Sequence, residues 1–315
     1  MTETRASGRS RTPDSEAVAP SHVVPNQAAL SGWRTASALG FILALYALAR
    51  ILEVAPTPLP QTAIVALDVL SSMAFALVHG ARHYGLRGIL AFTAICVVVS
   101  NAIENLGVLT GFPFGRYYFA GLMGPKLFNV PVLLGLAYIG MAYVSWTLAR
   151  LITGHADAQA PGTHLLMLPT VASFIMVAWD LAQDPVWATV LHGWVWLDGG
   201  PWFGVPISNY LGWYLTVFII YLTFALYLRR WPAEAVPAAR ASWLAAVLFY
   251  AVCAAGNVLQ RIPTPNPAVV LDPTGKQWRV SDITGASALV SIFVMGAFAV
   301  LGWLRTAEVQ KPSID

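Results

Sequence analysis

LRGILAFTAICVVVSNAIENLGV, residues 86–108, decides what kind of protein this is. The run is apolar along most of its length and long enough to cross about 30 Å of hydrocarbon as a helix. Yet it carries Glu104 about a turn before its end. A carboxylate costs several kcal/mol or more to place in lipid, so one retained in a spanning helix points to a pathway or a reaction.

Working outward, comparable apolar stretches occur at 35–54, 62–80, 127–150, 163–184, 206–229, 240–260 and 283–304, which makes eight with the first. Asp68 interrupts the second, and the last is rich in small residues. The expected fold class is all-α: a polytopic membrane helix bundle of about eight spans with re-entrant loops rich in aromatic residues, Gly and Pro. Composition agrees, because 57% hydrophobic and 10% charged residues are too apolar for a soluble domain of 315 residues. The 12 Trp and 21 Pro supply large π surfaces and many sharp helix ends. A pocket for a bulky apolar ligand uses both. The net charge of +3 is small and spread over loops, which excludes a nucleic-acid partner. Cys96 and Cys253 sit in apolar runs as small hydrophobes, neither a disulfide framework nor a metal set.

Residues 1–34 are polar, rich in Ser, Pro and Arg, and lack the apolar core of a cleavable signal, so they read as a disordered cytoplasmic tail. Residues 35–306 form the expected helical catalytic domain and 307–315 a C-terminal tail. With the N-terminus inside, the inner segments carry 12 basic residues and the outer loops, with Arg116, Lys126, Arg261, Lys276 and Arg279, carry five. That asymmetry places both termini of a multi-pass cell-membrane protein in the cytoplasm.

The same topology collects Glu53, Asp68, Glu104, Asp180 and Asp184 in one layer of the outer half, with Arg50 in reach of that layer. Interfacial charges snorkelling to water are the alternative, although Asp and Glu are too short to snorkel as Lys and Arg do. Asp180 and Asp184, in DLAQDP (180–185), are spaced i, i+4 and share a helix face about 6 Å apart along the axis. Two carboxylates close together in a dry site do not both ionise easily, so one keeps a proton and becomes a general acid. The same DxxxD spacing also suits magnesium. That reading needs further acidic ligands and basic partners for a diphosphate, and the only lysines are Lys126, Lys276 and Lys311. No metal is therefore expected. The six scattered histidines do not point to a non-haem iron site, and no lysine lies inside a span to form a retinal Schiff base.

Glu104 opens ENLGVLTGFPFGRYYF (104–119), where a helix breaks into glycines and a proline interleaved with Phe112, Phe114, Tyr117, Tyr118 and Phe119. Such a segment at membrane depth must pack on protein or line a cavity, so it reads as a lid; an interfacial aromatic belt is the alternative. Asn101 and Asn105 flank the Glu on adjacent turns, placed to orient it, to bind water or to bond between helices. Trp179, Trp187, Trp194, Trp196, Trp202 and Trp213 gather around the aspartates, where aromatic faces can stabilise a cation by about 2 kcal/mol when desolvated. Interfacial anchoring accounts for part of that set.

These segments, together with PKLFNVPVLLGLAY (125–138) and WVWLDGGPWFGVPISNYLGW (194–213), resemble the membrane carotenoid-biosynthesis family that includes the CruF-type carotenoid 1,2-hydratases and the bisanhydrobacterioruberin hydratases. The resemblance spans most of the membrane domain, roughly residues 40–305. It implies a cofactor-independent hydro-lyase that adds water across the terminal C-1,2 double bond of an acyclic ψ end group. It also implies a lipophilic polyene substrate, lipid surroundings and association with other carotenoid-pathway enzymes. Glu104, Asp180 and Asp184 match its acidic motif positions and Asn209 lies in its last segment. The chemistry of the residues agrees, because hydration needs a proton donor, aromatic stabilisers for a tertiary cation and a base that orients water. Asp180, one turn deeper than Asp184, is the expected donor, with Asp184 as its ionised partner and Glu104 holding the water. A protonation-initiated terpene or carotenoid cyclase and a non-catalytic isoprenoid carrier are the competing readings.

Overall fold

The computed structural model describes residues 27–154, 164–232, 240–264 and 266–308; residues 1–26 of the expected N-terminal tail and 309–315 of the C-terminal one lie outside these. Helix α1, Gln27–Leu52, already starts within the stretch expected to be tail. After it come α2 (Gln61–Thr110), α3 (Val132–Ile152), α4 (His164–Pro185), α5 (Ile207–Arg230), α6 (Arg240–Leu259), α7 (Val280–Val290) and α8 (Gly296–Thr306). α4 continues through a π-helical turn at Val186–Val190, and another at Ser291–Met295 joins α7 to α8 in one rod. Among the described residues seven helices are long and apolar enough to cross a membrane, which marks a multi-pass membrane protein.

The eight expected spans fall in seven continuous helices because the second and third are joined. α2 has 50 residues, about 75 Å if straight and far more than a bilayer needs. It is not straight. Gly85 has φ 68° and ψ 171°, a conformation that essentially only glycine adopts without strain. Beyond it the chain folds back: His79 and Phe92, which a straight helix would hold about 20 Å apart, both lie against the ring of Tyr143, at 5.6 and 5.8 Å. The two legs, 61–84 and 86–110, contain the spans expected at 62–80 and 86–108.

Prolines start three of the helices that carry the site. Pro60, Pro131 and Pro206 are extended (ψ 142°, 134° and 151°) immediately before α2, α3 and α5, where their missing N–H costs nothing. The expected span at 127–150 therefore begins at Val132. The residues before it form β2 (Lys126–Leu127) and β3 (Val130–Pro131), an antiparallel pair. Two further ribbons lie on the same side of the bundle: β1 (Tyr117–Phe119) pairs with β4 (Trp194–Trp196), and β5 (Val269–Leu271) with β6 (Gln277–Arg279). The loop expected to be re-entrant is thus a strand held by another loop.

α3 is the most buried of the seven long apolar helices and touches α2, α4, α6 and α8. Its Trp146 stacks at 5.7 Å on Tyr221 of α5 and donates Nε1–H to Tyr84 at 2.8 Å. Small residues let the backbones close up, as membrane bundles require. A Cβ on Gly140 of α3 would sit 2.7 Å from Cβ of Ser72.

Two polar sets are held in this frame away from the site. Arg50 pairs with Glu53 at 2.8 Å and Asp68 at 3.6 Å and donates to Asn257 at 2.7 Å, the pairing the sequence suggested. His79 and His83, four residues apart, stack at 4.3 Å; His79 bonds Tyr143 and the Ser242 carbonyl, and His83 the Ser242 hydroxyl. Those bonds tie α2 to α3 and α6 and account for both histidines structurally.

Candidate active site

Gly111, at φ 80°, ends α2 by returning its N–H to the Gly107 carbonyl at 2.7 Å, and the chain turns sharply toward β1. The ring of Phe114 then wedges between α2 and α5. Both contact points are glycine: a Cβ on Gly107 or Gly212 would lie 2.6 Å from that ring. Ser208 clamps the wedge by donating to the Phe114 carbonyl at 2.7 Å.

Strand alternation then selects the aromatics. β1 pairs with β4 in the register Tyr117↔Trp196 and Phe119↔Trp194, so these four side chains share the buried face. Tyr118 points away and is half exposed, and Phe112, in the turn before, is 62% exposed. Neither lines the pocket, although both were candidates. Arg116 and Asp198, a bidentate surface pair, flank the ribbon.

The hollow beneath it holds about 260 Å³ of empty space, including that at its mouth. Glu104, Phe114, Tyr117, Leu134, Trp196 and Asn209 line it, together with Phe119, Trp194 and Trp213. Glu104 is buried, and each of its oxygens accepts a phenolic hydrogen bond: Oε2 from Tyr117 at 2.5 Å and Oε1 from Tyr138 at 2.7 Å. Bonded to that carboxylate in a dry pocket, the Tyr117 hydroxyl is pushed well above its usual range, first by burial and then by the Glu104 charge. It therefore remains a donor. Tyr138 also stacks flat on Trp213, at 4.5 Å with 4° between planes, and Trp213 meets the edge of Trp179 at 6.0 Å. Such a stack adds about 1 kcal/mol beyond its buried area.

Asp180 and Asp184 stand behind this wall. Asp184 accepts from Trp194 Nε1 at 2.6 Å and from Asn209 Nδ2 at 2.6 Å; the same Asn209 nitrogen lies 3.3 Å from Asp180 Oδ2. One amide on α5 thus joins both aspartates of α4. Pro185 follows directly, and its missing N–H leaves the Leu181 carbonyl, four residues back, without its helical partner. Trp202 Nε1 donates to that carbonyl at 3.1 Å, and the helix widens into its π turn, an irregularity common at functional sites.

The tertiary structure brings together Glu104, Asp180, Asp184, Phe114, Tyr117, Trp194, Trp196, Asn209 and Trp213. Trp179 supports from behind. Asn101 and Asn105 are not turned to Glu104. Asn105 donates to Asn101, and its Oδ1 accepts from the backbone and side chain of Asn129, which moors the loop before α3. Tyr138 was missed, although it closes the motif at 125–138. Its signal is a phenolic hydroxyl in the apolar first half of α3, ahead of Tyr143, Ser145 and Thr147.

Among the described residues no group of three or more His, Cys, Asp or Glu is arranged to hold a metal ion. No solved structure matches the chain. Over 139 residues it is 32% identical to a bisanhydrobacterioruberin hydratase from Haloarcula japonica, an alignment covering 44% of this chain and 45% of that protein. The chain thus spans less than half the length of this curated relative. The model of the carotenoid biosynthesis protein family matches residues 63–271, the stretch that contains all three carboxylates, the aromatic ribbon and Asn209, and the chain belongs to that family.

Proposed function

We propose that the protein is a carotenoid hydratase that adds water to the terminal C-1,2 double bond of an acyclic end group without a cofactor. The observation that carries this reading is the wall of the pocket: aromatic faces line a hollow of about 260 Å³, the open space at its mouth included, and the polar groups facing it are a carboxylate, an amide, a phenol and indole N–H groups. The named activity of the Haloarcula japonica relative supports the same reading.

Hydrogen bonding divides the roles. Asp184 receives two donors that cannot accept in return, an arrangement suited to the ionised form. Asp180 has one long bond from the shared amide, which suits the member that keeps the proton. In the reaction the alkene π pair takes that proton at the less substituted carbon, leaving a tertiary cation opposite. Phe114, Trp196 and Trp213, which line the pocket, present the π faces that stabilise it. Water held between Glu104 and Asn209 bonds to the cation and gives its proton to Glu104. Return of that proton to the aspartates resets the site, and the net change is one added water. Asn209 screens the aspartates from the pocket, so its amide must turn aside for proton transfer.

In the proposed topology both termini are cytoplasmic, and the three ribbons cover the outer face. The deciding experiment supplies membranes carrying the protein with lycopene or γ-carotene in oxygen-labelled water and analyses the product by mass. A tertiary alcohol carrying the label supports the proposal. An unlabelled isomer means a cyclase, and unchanged polyene that remains bound means a carrier.

A further inference from the structure

A hydratase needs a route for water as well as for polyene. Aromatic side chains line most of the pocket, and on the loop side of the β1–β4 ribbon lies a second hollow, of about 210 Å³ with the open space at its mouth included. Its lining includes Thr189, His192, Trp196, Leu271 and Asp272. Trp196 is common to both hollows. It is only 4% exposed, and its Nε1 is buried with no hydrogen-bond partner among the described residues, whereas the neighbouring Trp194 spends its indole N–H on Asp184. A buried donor left unpaired costs free energy, and water is the ordinary remedy.

The geometry continues inward from that indole. Trp196 packs on Tyr117 at 4.7 Å, and the Tyr117 hydroxyl bonds Glu104. Two side chains therefore separate the second hollow from the carboxylate proposed to hold the attacking water. The outer wall is stiff as well. Asp272 accepts from the N–H groups of Thr274 and Lys276, from Thr274 Oγ1 and from Trp278 Nε1, which fixes the β5–β6 turn beside the hollow. Thr189 on the other side is tied to the Phe203 carbonyl at 2.5 Å.

We infer that the hollow between the 188–196 segment and the β5–β6 hairpin is the inlet for the water substrate, and that Trp196 is the partition past which water moves to Glu104. This inference rests on the hydratase reading and adds to it the path of the second substrate.

Leu271→Cys provides the test. Leu271 is 56% exposed on the rim of the inlet, while the native Cys96 and Cys253 are buried, so a bulky methanethiosulfonate reagent will label the new thiol selectively. Assays in deuterated water would follow two products: hydrated polyene, and unhydrated polyene that has gained deuterium by protonation and loss of a proton. Labelling should lower hydration about fivefold or more, the effect of losing one well-placed hydrogen bond on a barrier. Deuterium exchange should persist, and dithiothreitol should restore hydration. Trp196→Phe, which keeps an aromatic ring but loses the N–H, should lower the ratio of hydrated to exchanged polyene by a similar factor. Full hydration in labelled Leu271→Cys membranes, or an unchanged ratio in Trp196→Phe, would overturn the inlet. If the unlabelled protein hydrates no ψ-ended polyene at all, the hydratase reading itself fails.

Discussion

Tyr138 of α3 donates its phenolic hydrogen to Oε1 of Glu104 on α2 at 2.7 Å. Its ring also lies flat on Trp213 of α5, so one side chain joins the proposed base to the aromatic wall. Tyr138→Phe removes the hydrogen bond and keeps the stack. Turnover should fall by about tenfold to a hundredfold, the range for one hydrogen bond to a charged group, while polyene affinity stays unchanged. Pigment-binding titrations and initial rates on the same membranes measure both. Wild-type turnover in this variant would mean that Glu104 is not positioned through Tyr138.

Asp180→Asn keeps shape and hydrogen bonding but removes the transferable proton. Hydration and deuterium exchange should both drop by at least about a hundredfold, as expected for loss of a general acid, with the polyene still bound. Glu104→Gln should differ in kind, losing hydration while releasing isomerised or cyclised product from a cation that finds no activated water. Near-normal rates in Asp180→Asn would move the acid role to Glu104, the carboxylate that already faces the pocket.

Chelation offers an independent check on a reaction run by carboxylates and aromatics alone. Membranes treated with EDTA and dialysed should hydrate at the untreated rate. Activity lost to EDTA and restored by magnesium would revive the metal reading of the DxxxD spacing.

In the proposed topology each leg of α2 crosses once, so the seven continuous helices make eight crossings. Reporters fused at either terminus should therefore both report the cytoplasm. A C-terminal reporter active only outside would contradict this topology and the basic-residue asymmetry behind it.

Asp272 should make the β5–β6 hairpin sensitive to acid. Burial works against its charge, but donors from Thr274, Trp278 and Lys276 outweigh it and hold the carboxyl below the usual range. A depressed carboxylate contributes stability above its unfolded value of about 3.9, and that contribution is lost as pH falls through the lower folded value. Amide protection across 269–279 should thus be constant near neutrality and fall below about pH 4. Asp272→Asn should lose it at neutral pH. Equal protection in that variant would show that the turn stands without the charge.

What the sequence determined by itself was the membrane character, the approximate spans and the three carboxylates, because hydropathy and the cost of burying charge act locally and leave their mark residue by residue. It also brought Asp180 and Asp184 onto one face, since helical spacing requires no tertiary contact. It could not decide which aromatics line the pocket: Tyr117 and Tyr118 are adjacent and chemically alike, and only the pairing of β1 with β4 sends one inward and the other out. Nor could it separate Asn105, which moors a loop, from Asn209, which joins the aspartates, because an amide's role depends on what faces it across the bundle. Tyr138 belongs with them. Its partners lie 34 residues back, at Glu104, and 75 residues ahead, at Trp213, and only the closed bundle brings all three together.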